Sequence, residues 1–102
     1  MQVTLGTQKM TTTAKVYDGA RLFELKATHG LPLEIAVDRI VNQEGLPINW
    51  GAFIERARSQ GWYDFQTLDV AEHALTDADV SRDYRDAVIL QMKLYIMNHK
   101  RG

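Results

Sequence analysis

Residues 27–62, ATHGLPLEIAVDRIVNQEGLPINWGAFIERARSQGW, decide the fold because helix starts and helix ends alternate along them. Three glycines suit the left-handed backbone conformation that commonly follows a helix: Gly30, Gly45 and Gly61. Pro32 suits the first turn of a new helix, and Asn49 is a strong N-cap. The stretch therefore predicts one helix over about 32–44 and another over about 50–61.

Apolar residues recur at three- and four-residue steps on both sides of that stretch and predict three further helices. These run over about 13–29 after Thr12 or Thr13, about 64–75 after Asp64, and about 77–99 after Thr76 with Asp79 as a capping box. We expect an all-α fold, a compact bundle of about five helices. Residues 1–12 are polar and threonine-rich, so we expect a flexible arm ahead of a single helical domain over 13–102.

The last predicted helix carries apolar residues on more than one side. A helix of that kind must be buried on more than one face. Either it is a central helix surrounded by the other four, or its inner face packs on the core while its outer face binds a partner protein or a second copy. The residues expected at the partner interface are Ile89, Met92, Ile96 and Met97, with Trp62 and Tyr63 after Gly61. For the two aromatic residues, packing against the fourth helix is the alternative.

The composition is that of one soluble globular domain: 102 residues, of which 45% are hydrophobic and 25% are charged. The chain contains no cysteine, which excludes disulfides and thiolate chemistry. A continuous apolar run such as Ala87–Leu90 is far shorter than the roughly 20 residues of a membrane helix. The N-terminus also lacks the apolar core of a signal peptide, so we expect a cytoplasmic protein with no membrane partner.

Charge is nearly balanced over the whole chain, with a net charge of −1, but it is acidic over residues 64–86. Only Arg82 and Arg85 oppose the carboxylates of that stretch. A domain that binds nucleic acid usually has a basic excess, which this sequence lacks. The acidic stretch instead favours a basic protein partner.

No combination of residues in the sequence points to catalysis. His29, His73 and His99 are dispersed, and the pair formed by Asp69 and His73 lacks a third ligand or a nucleophile. There is no glycine-rich phosphate loop, and Ser59 lacks the context of a catalytic triad. We expect a protein that is not an enzyme and has no metal or cofactor site.

Residues 22–62 resemble the helical segment that follows the aminoacylation core of alanyl-tRNA synthetases. The matching positions are Thr28, Gly30, Pro32, Leu33, Gly45 and Phe53, while His29, Leu31, Glu34 and Asn49 depart from the family pattern. Short chains with this pattern also resemble small reading frames of tailed bacteriophages. The chain is too short for the catalytic sheet of a synthetase and lacks the ligands of that family's editing zinc site. The residues to which we assign structural roles are Gly30, Pro32, Gly45, Asn49 and Phe53.

The sequence leaves three functions open. The first, which we favour, is a non-catalytic, phage-like interaction protein that binds a host or phage protein and self-associates. The second, implied by the resemblance, is an RNA-binding module, because this region of the synthetases helps to hold the acceptor stem of tRNA. Its candidate contacts are Lys26, Arg39, Arg56, Arg58, Lys100 and Arg101, with Trp62 and Tyr63 able to stack on bases. The third is a DNA-binding regulator that uses residues 32–61 as a loose helix-turn-helix.

Overall fold

The computed structural model describes residues 15–100, and their architecture confirms the predicted all-α bundle. The helices are α1 (Gly19–Ala27), α2 (α-helical over Leu33–Val37 and π-helical over Asp38–Gln43), α3 (Trp50–Ser59), α4 (Asp64–Asp77) and α5 (Arg82–Asn98). Three predictions lie outside the described residues: the arm over 1–12, the Thr12 or Thr13 cap of the first helix, and the nucleic-acid contact Arg101. Within the described part of the chain, the only extended pairing is one parallel bridge between Tyr17 and Ile48.

The helix ends in the central stretch lie where the sequence predicts them. Gly30, Gly45 and Gly61 have φ values of +68°, +69° and +85°, which glycine adopts without the steric cost of a Cβ. The Asn49 side chain caps α3 by accepting a hydrogen bond from the Ala52 backbone N–H at 3.1 Å. These caps are local, so short sequence patterns suffice to predict them.

Two predicted helix starts and one predicted cap are wrong. Helix α1 begins at Gly19, six residues later than expected, because the Asp18 carboxylate accepts a hydrogen bond from the Ala20 N–H at 2.9 Å. Helix α4 begins with Asp64 as its first residue rather than its cap, and the Tyr63 N–H donates to the Gln66 side chain at 2.8 Å.

The start of α5 is the third correction. Helix α4 continues through Asp77, so the predicted Thr76 capping box does not form. The chain then turns at Asp79, whose φ is +61°, and the Ser81 hydroxyl accepts from the Tyr84 N–H at 3.1 Å. Ser81 thus caps α5, five residues after the cap that the sequence predicts at Thr76.

Helices α1 and α3 form the most closely packed part of the core. A Cβ at Gly19 would lie 1.9 Å from the Asn49 carbonyl oxygen and 2.6 Å from the Phe53 nitrogen, so only glycine fits there. Phe53 is fully buried and lies edge-to-face with Phe23 and Trp50, at centroid distances of 5.6 and 5.3 Å. The Phe53 ring thus lies in the core, and its contact with Phe23 joins α3 to α1.

The π-helical turn of α2 connects that helix to the end of α4. A π-turn adds one residue to the helical repeat and changes the direction of the side chains that follow. The Asn42 amide donates to the Asp38 carboxylate and to the Ala78 carbonyl, both at 2.8 Å. Ala78 is the C-cap of α4, so this amide holds the point where the chain leaves α4 for α5.

Helix α5 lies at the side of the bundle against α3 and α4, and the reading that makes it a central helix is wrong. Only two of its side chains, Val88 and Met92, are buried. Its opposite side carries the exposed residues Leu90, Leu94 and Met97. The second reading, with one face on the core and one face outward, describes its position.

Candidate protein-interaction surface

An exposed apolar row runs along the outer side of α5. It consists of Ala87, Leu90, Leu94 and Met97, and we call these four residues the outer row. The three large side chains are 58%, 48% and 64% exposed, respectively. Steps of three, four and three residues place the four side chains on one side of the helix. Single exposed apolar residues are common on protein surfaces, but a contiguous row is typical of an interface.

Helix α5 is held on the bundle by polar contacts as well as by its two buried side chains. The Tyr95 hydroxyl donates to the Glu55 carboxylate at 2.7 Å, and this bond raises the pKa of the tyrosine. Near the start of the helix, the Arg85 guanidinium lies 3.4 Å from the Thr76 hydroxyl. These contacts fix the inner side of α5 while leaving the outer row out of the core.

Arg58 fixes the end of α5. Its guanidinium donates two bonds to the Asp64 carboxylate, at 2.9 and 3.1 Å, and a third to the His99 carbonyl at 2.5 Å. Its side chain is only 9% exposed. Arg58 therefore joins the C-terminal ends of α3 and α5 to the start of α4.

A second exposed apolar feature lies at the start of α4. Tyr63 and Phe65 are 63% and 69% exposed, and their rings stack with centroids 5.7 Å apart. Trp62, half-buried, packs edge-to-face on Phe23 at 5.1 Å. We call Trp62, Tyr63 and Phe65 the aromatic edge. Because Arg58 binds both Asp64 and the His99 carbonyl, the aromatic edge lies at the same end of the molecule as Met97.

A shallow groove continues from the aromatic edge along α4. It consists of a cavity of about 500 Å³ beside Trp62 and Phe65 and one of about 280 Å³ beside Pro32, and both are lined by Asp69 and Val70. Its ionisable lining residues are Lys26, Glu34, Asp69, His73 and Asp77. The groove is thus acidic on balance.

His73 is a titratable group of that groove with contacts to the preceding turn of α4. Its Nδ1 lies 2.8 Å from the Asp69 carbonyl and 3.5 Å from the Asp69 carboxylate. The backbone hydrogen bond, and then the nearby carboxylate, raise the pKa of His73. Over residues 15–100, no three His, Asp or Glu side chains lie close enough together to hold a metal ion.

The structure divides the predicted partner interface. Met97 and Tyr63 are exposed, whereas Ile89, Ile96 and Trp62 are half-buried against the core. Met92 is fully buried, so its inclusion in an exposed interface is wrong. The exposed apolar residues Leu90, Leu94 and Phe65 are absent from the interface predicted from the sequence. Stepping back from Met97 by three and then four residues would have found the two leucines.

Three of the predicted nucleic-acid contacts already have partners within the chain. Arg58 is enclosed as described above, and the Arg56 Nε donates to the Glu24 carboxylate at 2.6 Å. That bond from Arg56 lowers the pKa of Glu24. The Lys26 ammonium lies over the Trp62 ring, 5.9 Å from its centroid. Arg39 and Lys100 are exposed, and the remaining candidate, Arg101, lies beyond the described range.

Helix α3 is also a poor recognition helix. The residues it buries in the core are Trp50, Phe53, Ile54 and Ala57. Its two arginines are the ones engaged by Glu24 and Asp64. A helix that reads a DNA groove needs free polar side chains on an exposed face. The observed contacts of α3 are those of a core element.

Comparison of the chain with protein-family models, with curated proteins and with solved structures finds no significant match. The resemblance to the alanyl-tRNA synthetase segment therefore remains a prediction from the sequence. In the part of the chain that the structure describes, no helix has both the length and the apolar character to cross a membrane.

Proposed function

We propose that this chain is a non-catalytic, phage-like helical interaction protein. It acts in the cytoplasm by binding a host or phage protein through the outer row of α5. The observation that carries the proposal is the exposed row on a helix whose other side is anchored to the bundle. Leaving these leucines in water has no benefit for the isolated chain, whereas a partner would remove their surface from water.

The row has the form of a helix-in-groove contact. Three large side chains at three- and four-residue spacing can enter a hydrophobic groove or pack beside another helix. Fully burying a leucine or methionine side chain contributes about 1.5–3 kcal/mol. Because these side chains are about half exposed, each has only part of that contribution still to gain. The row therefore suits a partner of moderate affinity.

The charges around the row favour a partner with a basic rim. Exposed carboxylates accompany the first half of the row: Asp83 and Asp86 lie on α5, and Asp79 lies in the link before it. Rim charges of one sign accelerate encounters with a partner of the opposite sign and disfavour other partners. A basic protein surface with an apolar centre would match both features.

RNA binding is the second candidate, and the aromatic edge favours it. The exposed ring of Phe65 could stack on a base, and Arg39 and Lys100 are available for phosphates. Against it, Arg56 and Arg58 could bind phosphate only by giving up carboxylate partners. DNA binding has less support still, because α3 is a core helix.

A capture experiment with matched variants tests the proposal. The tagged chain would be incubated with bacterial lysate, divided into nuclease-treated and untreated halves. We expect a protein that survives nuclease treatment and is lost when Leu90→Ser and Leu94→Ser are combined. Ile35→Ser is the control, because Ile35 is also apolar and 46% exposed but lies on α2. Circular dichroism would verify that all variants fold.

Two outcomes would contradict the proposal. Equal capture by the wild type, the double variant and the Ile35→Ser control would show that the outer row does not bind the partner. Recovery of tRNA from the untreated half, weakened by salt and by Phe65→Ser, would favour the RNA-binding candidate.

A further inference from the structure

We infer that the outer row takes a second copy of this chain as a partner, with the two α5 helices packed antiparallel. This inference rests on the proposed interaction surface and specifies one occupant for it. The row has the three-four-three spacing by which two helices pack side by side. A two-fold axis perpendicular to α5 would bring the same four residues of each copy together.

The sizes of the side chains fit the antiparallel direction. In that direction the small Ala87 lies opposite the large Met97 of the second copy, and Leu90 lies opposite Leu94. Each pair of opposed side chains then has a similar total volume. In the parallel direction the two alanines would leave a gap, while the two methionines would crowd each other.

The charges favour the same direction. Asp83 and Asp86 lie in the first half of α5, whereas Lys100 follows the end of the helix. Antiparallel packing brings the acidic half of one copy near the basic end of the other, and it also opposes the helix dipoles favourably. Parallel packing would place the aspartates of the two copies beside each other and far from Lys100.

Two charged features within α5 moderate this attraction. Asp86 lies 3.8 Å from Arg82 and 3.7 Å from Arg85 in its own helix, and the pair with Arg82 is exposed enough to exchange for a lysine of the second copy. The axis falls beside residue 92, so the two copies of Lys93 approach each other. Their long side chains can extend into solvent, which limits the repulsion.

The limited area of the row predicts weak, reversible pairing. Stable interfaces usually bury at least about 1,200 Å² in total, and three half-exposed side chains per copy provide less than that. We expect a dissociation constant on the order of 0.1 mM. Sedimentation equilibrium over increasing concentration should therefore show a monomer that becomes partly dimeric.

Single cysteines can test the direction, because the chain has none of its own. Ala87→Cys and Met97→Cys would be prepared separately, mixed, and oxidised mildly at high concentration. Antiparallel pairing places these two positions opposite each other, within reach of a disulfide. The two chains differ in mass, so mass spectrometry distinguishes the mixed dimer from either self-linked dimer.

We expect the mixed dimer to exceed each self-linked dimer several-fold. Adding Leu94→Ser to both chains should reduce the mixed dimer to the yield of random collisions, whereas adding Ile35→Ser to both chains should leave its yield unchanged. Self-linked dimers at or above the yield of the mixed dimer would overturn the antiparallel inference. A monomer at every concentration would overturn self-pairing altogether. If the chain is a monomer at every concentration while capture of another protein is still lost with Leu90→Ser and Leu94→Ser, self-pairing fails and the proposed function stands.

Discussion

Helix α3 makes two close contacts with a glycine at the contact point, Gly19 of α1 in one and its own Gly51 in the other, and the two contacts differ in what the glycine meets. Against α1, a Cβ at Gly19 would meet the Asn49 carbonyl and the Phe53 nitrogen, which are backbone atoms. Against α5, a Cβ at Gly51 would meet the Tyr95 ring, at 2.7 Å. A ring can move, but the backbone of two crossing helices cannot move without separating them. The α1–α3 contact is therefore rigid, and the α3–α5 contact is adjustable.

This difference explains why the candidate surface lies on α5. The α1–α3 contact uses its large apolar side chains in the core, among them Phe23 and Phe53. Helix α5 contributes Val88 and Met92 to the core and is otherwise held by side-chain contacts at its edges. Its outer row can therefore change or bind without disturbing the core.

Gly19→Ala should produce the largest effect, because it breaks the rigid contact. We expect a loss of about 3 kcal/mol in the free energy of unfolding, since the added methyl group forces α1 away from α3. Gly51→Ala is the matched control. The displaced Tyr95 ring should be offset by the better helix propensity of alanine, leaving a change below about 1 kcal/mol. Urea unfolding of both variants measures the difference, and equal losses would show that the two contacts are alike.

Arg58→Met should have the next largest effect, because it removes the side chain that joins α3, α4 and the end of α5. Charged hydrogen bonds contribute more than neutral ones, and Asp64 would be left partly buried without this partner. We expect a loss of about 2 kcal/mol in the free energy of unfolding. Arg58→Lys, which keeps the charge but loses the paired bonds, should lose about half as much.

Arg56→Met is the control for Arg58, because its ion pair with Glu24 is more exposed. An exposed pair of this kind contributes little, so we expect almost no change in urea unfolding. A loss as large as that of Arg58→Met would mean that burial does not increase the contribution of an ion pair to the stability of this protein.

Asn42→Ala should have a smaller effect, confined to the link between α4 and α5. The variant leaves the Ala78 carbonyl without the donor that closes the end of α4. We expect a loss of about 1 kcal/mol in the free energy of unfolding, measured by thermal unfolding, and faster hydrogen exchange at residues 78–81. Gln43→Ala removes only an exposed bond to Asp38 and should change neither quantity.

The sequence was sufficient for helix ends that depend on a few neighbouring residues. Asn49 and the three glycines are examples, because a cap needs only a side chain or a φ angle at one position. It failed where several residues compete for one role. Thr76, Asp79 and Ser81 all suit an N-cap, and only the length of α4 decides that Ser81 provides it.

The candidate site depends on contacts that are distant in the sequence, and this limited its prediction. Nothing near Arg58 distinguishes it from a solvated arginine, since its contact with His99 spans 41 residues. Apolar residues occur around much of α5, so the face that meets the core depends on where α3 and α4 lie. The sequence therefore predicts Met92 at the interface and omits Leu90 and Leu94.

Substitutions on the exposed face of α4 should change the free energy of unfolding least, and His73 tests this expectation. The raised pKa of His73 means that the folded state favours the protonated ring. This contribution is fully present below the unfolded pKa, about 6.5, and is lost as the pH rises through the folded pKa. We expect a slight fall in the free energy of unfolding as the pH rises above about 6.5, and no such fall in His73→Gln. Asp69→Asn keeps the backbone carbonyl that makes the larger contribution, so part of the fall should remain. If Asp69→Asn abolishes it completely, the carboxylate rather than the carbonyl controls the pKa of His73.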